Sequence, residues 1–219
     1  MGLKDKIEEL RRVIANTTGE KVTIVAAVKT QTMETIRELW QIAPDIVMGQ
    51  NRADELTQNY FAGPRWQFIG QLQSNKVKYI IDKVELIQSL DRESLLLELE
   101  RQAEKRGIVI PCLIEVNIAD EPTKGGIVPS SLFEFVELAL NCSHVKVEGL
   151  MTVAPQYESG EKLKSRFKEM RELFLKLKER LPDARYLSMG MSNDYIPALE
   201  CGSNMIRVGR CLFGERKYV

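Results

Sequence analysis

Lys21-Val22-Thr23-Ile24-Val25-Ala26-Ala27-Val28-Lys29-Thr30 is an apolar, β-branched run that ends on a lysine. A run of this length between polar residues reads as a strand buried on both faces, as in a parallel sheet. A lysine at the carboxyl end of such a strand stands at a rim, where its amine can face a cavity. Desolvation there disfavours the ammonium form, and a neutral amine is what Schiff-base chemistry needs. The same side chain can also snorkel to water. The rest of the chain decides between the two.

Seven further short apolar runs follow: Ile46–Met48, Trp66–Ile69, Val84–Gln88, Ile108–Val116, Val145–Leu150, Tyr186–Leu187 and Met205–Val208. The seventh strand, Tyr186–Leu187, is the shortest. Helical patterns lie between the runs. Thr32 is placed to cap a helix reaching about Trp40, and a second runs over about 53–60. A short one lies near 76–81. Asp91 reads as the cap of a helix that turns Leu95, Leu96, Leu99 and Ala103 inward and closes at Gly107. Two more run over about 129–141 and 193–201. Leu163, Phe167, Met170, Phe174 and Leu177 mark a long amphipathic helix ending near Pro182. Upstream of everything, Leu3, Ile7, Leu10 and Ile14 form one stripe of an N-terminal helix.

Strand and helix thus alternate eight times, which predicts a parallel sheet. Eight units without an interruption predict a closed (β/α)8 TIM barrel with an extra N-terminal helix, one domain over 1–219. The alternative is an open doubly wound sheet, but the first strand–helix turn lacks the G-x-G-x-x-G fingerprint.

The 219 residues carry 31 basic and 31 acidic side chains, a formal net charge of zero. That gives no global electrostatic reason to bind nucleic acid or a membrane surface. No apolar run approaches the roughly 18 residues of a transmembrane helix. The charged, amphipathic start, Met1–Glu9, does not read as a signal peptide. Cys112, Cys142, Cys201 and Cys211 form no C-x-x-C pair, and His144 is the single histidine. Neither a metal site nor a disulfide framework is expected, and the cysteines read as reduced, mostly buried thiols of a cytoplasmic protein. A Ser-His-Asp hydrolase would need His144 as its base, and nothing near it resembles a nucleophile elbow.

In a barrel the carboxyl ends of all strands share one face, and that face holds the site. The polar residues after the strands are Lys29, Asn51, Gln71, Asn117, Thr152, Ser188, Ser192, Gly209 and Arg210. In the turn from Ser188 to Asp194, Ser192 stands at an expected helix start, where free amides and a hydroxyl form an anion site or a plain N-cap. Gly202-Ser203 and Val208-Gly209-Arg210 offer further donors around the last strand. Arg207 alternates with Ile206 and Val208, so it points either into the mouth or to a partner outside. A lysine imine and a phosphate site at one mouth suggest pyridoxal 5′-phosphate, the lysine holding the aldehyde.

The chain resembles the family of pyridoxal phosphate homeostasis proteins, single-domain barrels similar to the N-terminal domain of alanine racemase. The likeness is carried by Ala27-Val28-Lys29-Thr30, by Gly49-Gln50-Asn51-Arg52 and by the run from Phe68 to Lys76. It continues in Gly149-Leu150-Met151-Thr152, Leu187–Ser192, Ile206–Gly209 and Phe213-Gly214-Glu215-Arg216. The resemblance implies Lys29 as the imine-forming lysine, with Ser192, Gly209 and Arg210 around the phosphate and Arg207 near the cofactor. It matches Lys124 to a family lysine that affects cofactor handling. Asn51 and Ser203 complete the expected cofactor-binding set. The chain departs from the family pattern at Val28, where serine is usual, and at Gln31 and Thr32, where a second lysine and a proline often stand. Gln50 replaces a common glutamate and Gln67 a common histidine.

The resemblance implies a monomer that holds pyridoxal phosphate as a lysine aldimine and buffers it or passes it to apo pyridoxal-phosphate enzymes. The alternative is a pyridoxal-phosphate enzyme of the amino-acid racemase type. Racemases of the related fold bring a second base from another domain or subunit, and this chain has no tyrosine in a clearly matching place. One-sided proton transfer inverts a centre poorly. A cofactor-free Schiff-base aldolase is a third class that also uses a barrel lysine.

Overall fold

The structure is a computed structural model and describes residues 2–119, 125–155 and 157–214. Parallel strands close a barrel in sequence order: β1 (Thr23–Ala27), β2 (Val47–Gln50), β3 (Trp66–Phe68), β4 (Leu86–Leu90), β5 (Ile110–Glu115), β6 (Val145–Met151), β7 (Tyr186–Met191) and β8 (Met205–Val208). The ring is shut by β8 on β1, with Val25 opposite Arg207 and Ala26 opposite Val208. The expected (β/α)8 barrel is therefore the fold, and the open sheet is excluded.

Helix α1 (Leu3–Thr17) precedes the barrel, and a helix follows each strand: α2 (Met33–Ile42), α3 (Ala53–Asn59), α4 (Val77–Ile80), α5 (Glu93–Glu104), α6 (Leu132–Leu140), α7 (Gly160–Arg180), α8 (Tyr195–Glu200) and α9 (Arg210–Phe213). Thr32 caps α2, its hydroxyl accepting from the Thr35 amide. The stripes read from the sequence are the faces that pack. Leu95, Leu96, Leu99 and Ala103 of α5 are buried, as are Leu163, Phe167, Met170, Phe174 and Leu177 of α7. Each such large side chain contributes roughly 1.5–3 kcal/mol when removed from water.

Strand alternation sorts the apolar residues into two shells. Ile24, Ala26 and Val28 face the helices, within the large cluster between sheet and helices. Val25, Val47, Ile69, Leu86, Leu113, Met151 and Met205 form a separate cluster inside the barrel, with Ala27 packed on it. Between β6 and β7 the backbones approach so closely that a Cβ on Gly149, whose φ is +151°, would lie 1.9 Å from the Tyr186 carbonyl oxygen. Only glycine accepts both the angle and the contact.

Three expectations need correction. Strand β7 is not the shortest: it runs through Ser188 and Gly190 to Met191, although those residues interrupt its apolar run. Asp91 does not cap α5. Its carboxylate is buried against the Arg92 guanidinium, whose Nη2 also donates to the Leu72 carbonyl at 2.7 Å, and α5 begins at Glu93. Of the four cysteines only Cys112 is buried, while Cys142, Cys201 and Cys211 are partly exposed. Among the described residues no helix is long and apolar enough to cross a membrane.

Candidate functional site

The first site residue is set by strand phase. Val25 and Ala27 face the interior, and Lys29 is the next residue in that phase, half-buried at the rim. The chain turns sharply there: Gln31 donates its amide to the Val28 carbonyl at 3.1 Å, and Thr30 takes φ +64°. A left-handed threonine costs about 1 kcal/mol or more, so the neighbouring structure must hold this turn in place. Lys29 thus follows β1, the strand that pairs with β8. Across that seam, a Cβ on Gly209 would meet Ala27 only at ordinary contact distances of 3.4 and 3.5 Å. Packing does not demand the glycine.

Ser192 lies on the same side. Its Oγ accepts from the amides of Gly209 at 3.1 Å and Cys211 at 3.4 Å, at the start of α9. The expected role at the start of the preceding helix is therefore corrected. Asp194 occupies the N-cap position of α8, and its carboxylate accepts from the Met191 amide. The hydroxyl serves the turn after β8 instead. The amides of Gly209 and Cys211 donate to it, with the exposed Arg210 between them. Amides without helical partners carry partial positive charge and suit an anion.

Arg207 points into the barrel, which settles the alternative left by its strand pattern. Its Nη1 donates to the Ser188 carbonyl at 3.0 Å and to Ser188 Oγ at 2.6 Å, and its Nη2 to the Thr152 carbonyl at 2.7 Å. Burial lowers its pKa to about 10, opposed by the charges of Glu115 and Asp194, so it remains a cation at neutral pH. Glu115 ends β5 on the far side of the mouth. Burial, with Asp91 adding to it and Arg207 opposing it, pushes Glu115 up to about 7. Burial likewise raises Asp194, against the Met191 amide and Arg207.

Asn51 follows β2. Its amide nitrogen donates to Gln50 Oε1 at 2.7 Å, while its Oδ1 is buried with no hydrogen-bond partner among the described residues. A buried acceptor left in this state is one a bound ligand can satisfy. Across the mouth from β1, a cavity of about 220 Å³ is lined by Glu115, Val116, Asn117, Gly125 and Val153. An amine, an amide cluster with a hydroxyl, a buried guanidinium and an orphaned acceptor on one rim fit a ligand carrying an aldehyde, a phosphate and a pyridine ring.

The remaining expected residues divide. Ser203 does not join the mouth. It precedes β8 at the opposite end of the strand, and its hydroxyl is directed at the carbonyls of Leu187, Met189 and Met205. Thr152 is buried with its hydroxyl on the Val116 carbonyl, and Gln71 is exposed. Lys124, with Glu215 and Arg216, lies outside the described residues. Glu115, Asp194, Gln88 and Gln67 were not singled out as site residues. For Glu115, Gln88 and Gln67 the signal is a polar residue among apolar ones inside a strand, as in Ile114-Glu115-Val116, the pattern that marks Arg207; Asp194 stands in the turn after β7 and carries no such signal.

The chain matches the family model of the alanine racemase N-terminal domain over residues 3–217. It is 44% identical over 200 residues to the pyridoxal phosphate homeostasis protein of Aquifex aeolicus strain VF5, covering 89% of this chain and 87% of that one. The protein of the same name from Escherichia coli K12 is 31% identical over 207 residues, covering 91% and 88%. Among solved structures, PipY of Synechococcus elongatus PCC7942 with pyridoxal phosphate bound superposes with TM-score 0.82 at 26% identity, covering 97% of this chain and 100% of that one. Its form without the cofactor gives 0.87 at 27% identity over the same shares. An alanine racemase of Clostridium difficile 630 shares the fold, with TM-score 0.73 at 18% identity over 98% of this chain and 57% of that one. A barrel of this kind, matched along nearly its whole length, belongs to the family of pyridoxal phosphate homeostasis proteins.

Proposed function

We propose that this chain is a single cofactor-binding domain over 1–219 that holds pyridoxal 5′-phosphate at the barrel mouth for intracellular homeostasis, without turning over a substrate. The observation that carries the reading is the β1–β8 seam. It brings Lys29 and the amides of Gly209 and Cys211 to the ends of neighbouring strands, which supports a small aldehyde-phosphate reaching both. Relatives bearing the homeostasis name, and PipY with the cofactor bound, support the same assignment.

When bound, the cofactor supplies an aldehyde that condenses with amines and a ring that accepts electrons. Lys29 supplies the amine. Ser192, Gly209 and Arg210 receive the phosphate, and Asn51 borders the ring side. Arg207 stays cationic and donates to whatever acceptor lies above it. A guanidinium facing the pyridine nitrogen opposes its protonation and weakens the electron sink, which favours carriage over turnover. Apo pyridoxal-phosphate enzymes are the recipients under this reading, the carrier acts as a monomer, and the cytoplasm is its compartment.

The test is spectroscopic. Protein mixed with pyridoxal phosphate should gain a visible band that borohydride removes, and peptide mapping should find the reduced cofactor on Lys29. Label on another lysine overturns the assignment. Lys29→Ala should lose the band and keep a weaker, phosphate-dependent affinity. Chiral inversion or keto-acid release from L-amino acids well above the rate of free cofactor would replace the carrier by an enzyme.

A further inference from the structure

Five side chains connect the mouth of the barrel to its floor. Arg207 Nη1 donates to Ser188 Oγ at 2.6 Å, and Ser188 Oγ donates to Gln88 Oε1 at 2.6 Å. Gln88 Nε2 donates to Gln67 Oε1 at 2.6 Å, and Gln67 Nε2 donates to Glu85 Oε1 at 2.9 Å. At the floor, Arg65 grips Glu85 with two bonds of 2.9 and 2.8 Å. Arg207, Ser188, Gln88 and Gln67 are all buried.

Every bond in this string runs the same way, from the guanidinium to the carboxylate. The ends impose the direction, because an arginine only donates and a carboxylate accepts. The amide orientations of Gln88 and Gln67, ambiguous by shape alone, then have a single assignment that satisfies each link. Gln88 is used on both sides, since its Nε2 also faces Met205 Sδ at 3.2 Å. In a low-dielectric interior such bonds polarise one another and stiffen the row. The surroundings are apolar: Leu86, Leu113, Met151 and Met205 flank it. Apolar residues at 67 and 88 would fill this space without polar atoms to satisfy, so packing alone does not account for the string.

Arg207 is what the string holds. Its acceptors are Ser188 Oγ and the carbonyls of Ser188 and Thr152, and none is a carboxylate. The carboxylate that terminates the row sits at the other end of the barrel. We propose that Gln88, acting through Ser188, is a positioning residue that fixes the Arg207 guanidinium beneath the mouth, leaving its charge available to the cofactor. The cofactor's part in this rests on the function proposed above; the positioning does not.

Guanidinium nitrogen NMR on the cofactor-free protein tests the positioning directly. Arg207, assigned by its loss in Arg207→Lys, should show hindered rotation with resolved Nη signals. In Gln88→Met and in Ser188→Ala that rotation should quicken by about tenfold. A folded Gln88→Met protein with unchanged Arg207 signals overturns the proposal. Should Gln88→Met not fold, the smaller change Ser188→Ala decides by the same criterion. With pyridoxal phosphate, the dissociation constant should rise roughly threefold in Gln88→Met and about tenfold in Ser188→Ala, while borohydride still labels Lys29. If the unaltered protein takes up no pyridoxal phosphate, the proposed function falls and the NMR arm still judges the string. If it binds, and both variants bind equally well with unchanged Arg207 signals, the string is structural and the proposed function stands.

Discussion

Ser192 and Gly209 meet across the turn that follows β8: the serine Oγ lies 3.1 Å from the glycine amide, and 3.4 Å from the amide of Cys211. The turns after two successive strands are thus tied together by one hydroxyl acceptor. Ser192→Ala should leave the two amides without this acceptor and cost about 1 kcal/mol, as loss of a helix cap does. The melting temperature of the cofactor-free protein should fall by roughly 2–4 °C. An unchanged melt would mean that water replaces the hydroxyl at no cost.

Glu115 gives a pH signature. Its pKa is raised from 4.5 to about 7 by burial and by Asp91. Between those two values the folded state holds a proton that the unfolded chain has released. Stability from this group is therefore greatest below 4.5 and is lost as pH rises through about 7. The loss should be on the order of 1–3 kcal/mol, after allowance for solvent at the mouth. Glu115→Gln should remove this slope, so that the variant gains on the parent between pH 5 and pH 8 in paired denaturant titrations. Parallel curves over that interval would contradict the assigned shift.

Gly149→Ala should be severe. The new methyl would stand 1.9 Å from the Tyr186 carbonyl at a φ of +151°. Relieving it means separating β6 from β7, which costs about 3 kcal/mol or more. Chemical denaturation should show a lowered midpoint, or the variant should fail to accumulate in folded form.

The thiols should separate by burial. Cys112 is fully buried, and burial pushes its thiol well above the ordinary range. It should react with a thiol reagent only after unfolding, while Cys142, Cys201 and Cys211 react slowly in the native protein. Rapid native labelling of Cys112, read by peptide mass, would contradict the packing of β5.

The barrel was legible because each strand is covered on one side by helices and on the other by its own ring, so most of its residues are apolar. Strand β7 hid its length for the converse reason. Ser188 faces the polar row along the axis and Gly190 lies under Tyr195, so the apolar run broke while the strand continued. Lys29 and Arg207 could be found because each interrupts a strand pattern near a carboxyl end. The placement of Ser192 could not be read locally: the amides it serves belong to the turn after the next strand. Ser203 looked like one more donor near Gly209, yet it enters β8 from the other end of the barrel. Gln67 and Gln88 look like ordinary polar strand residues. Only the closed ring shows that neither side of them meets water.

Joining β8 to β1 has a consequence for biogenesis. Lys29 follows the first strand and the amides of Gly209 and Cys211 follow the last, so a ribosome releases the former long before the latter exist. Until the final strand docks, Lys29 lies at the edge of an open sheet, without the β8 seam beside it. Under the proposed function, phosphate-dependent affinity for the cofactor would then report the completion of the ring, and a chain arrested before β8 should lack it.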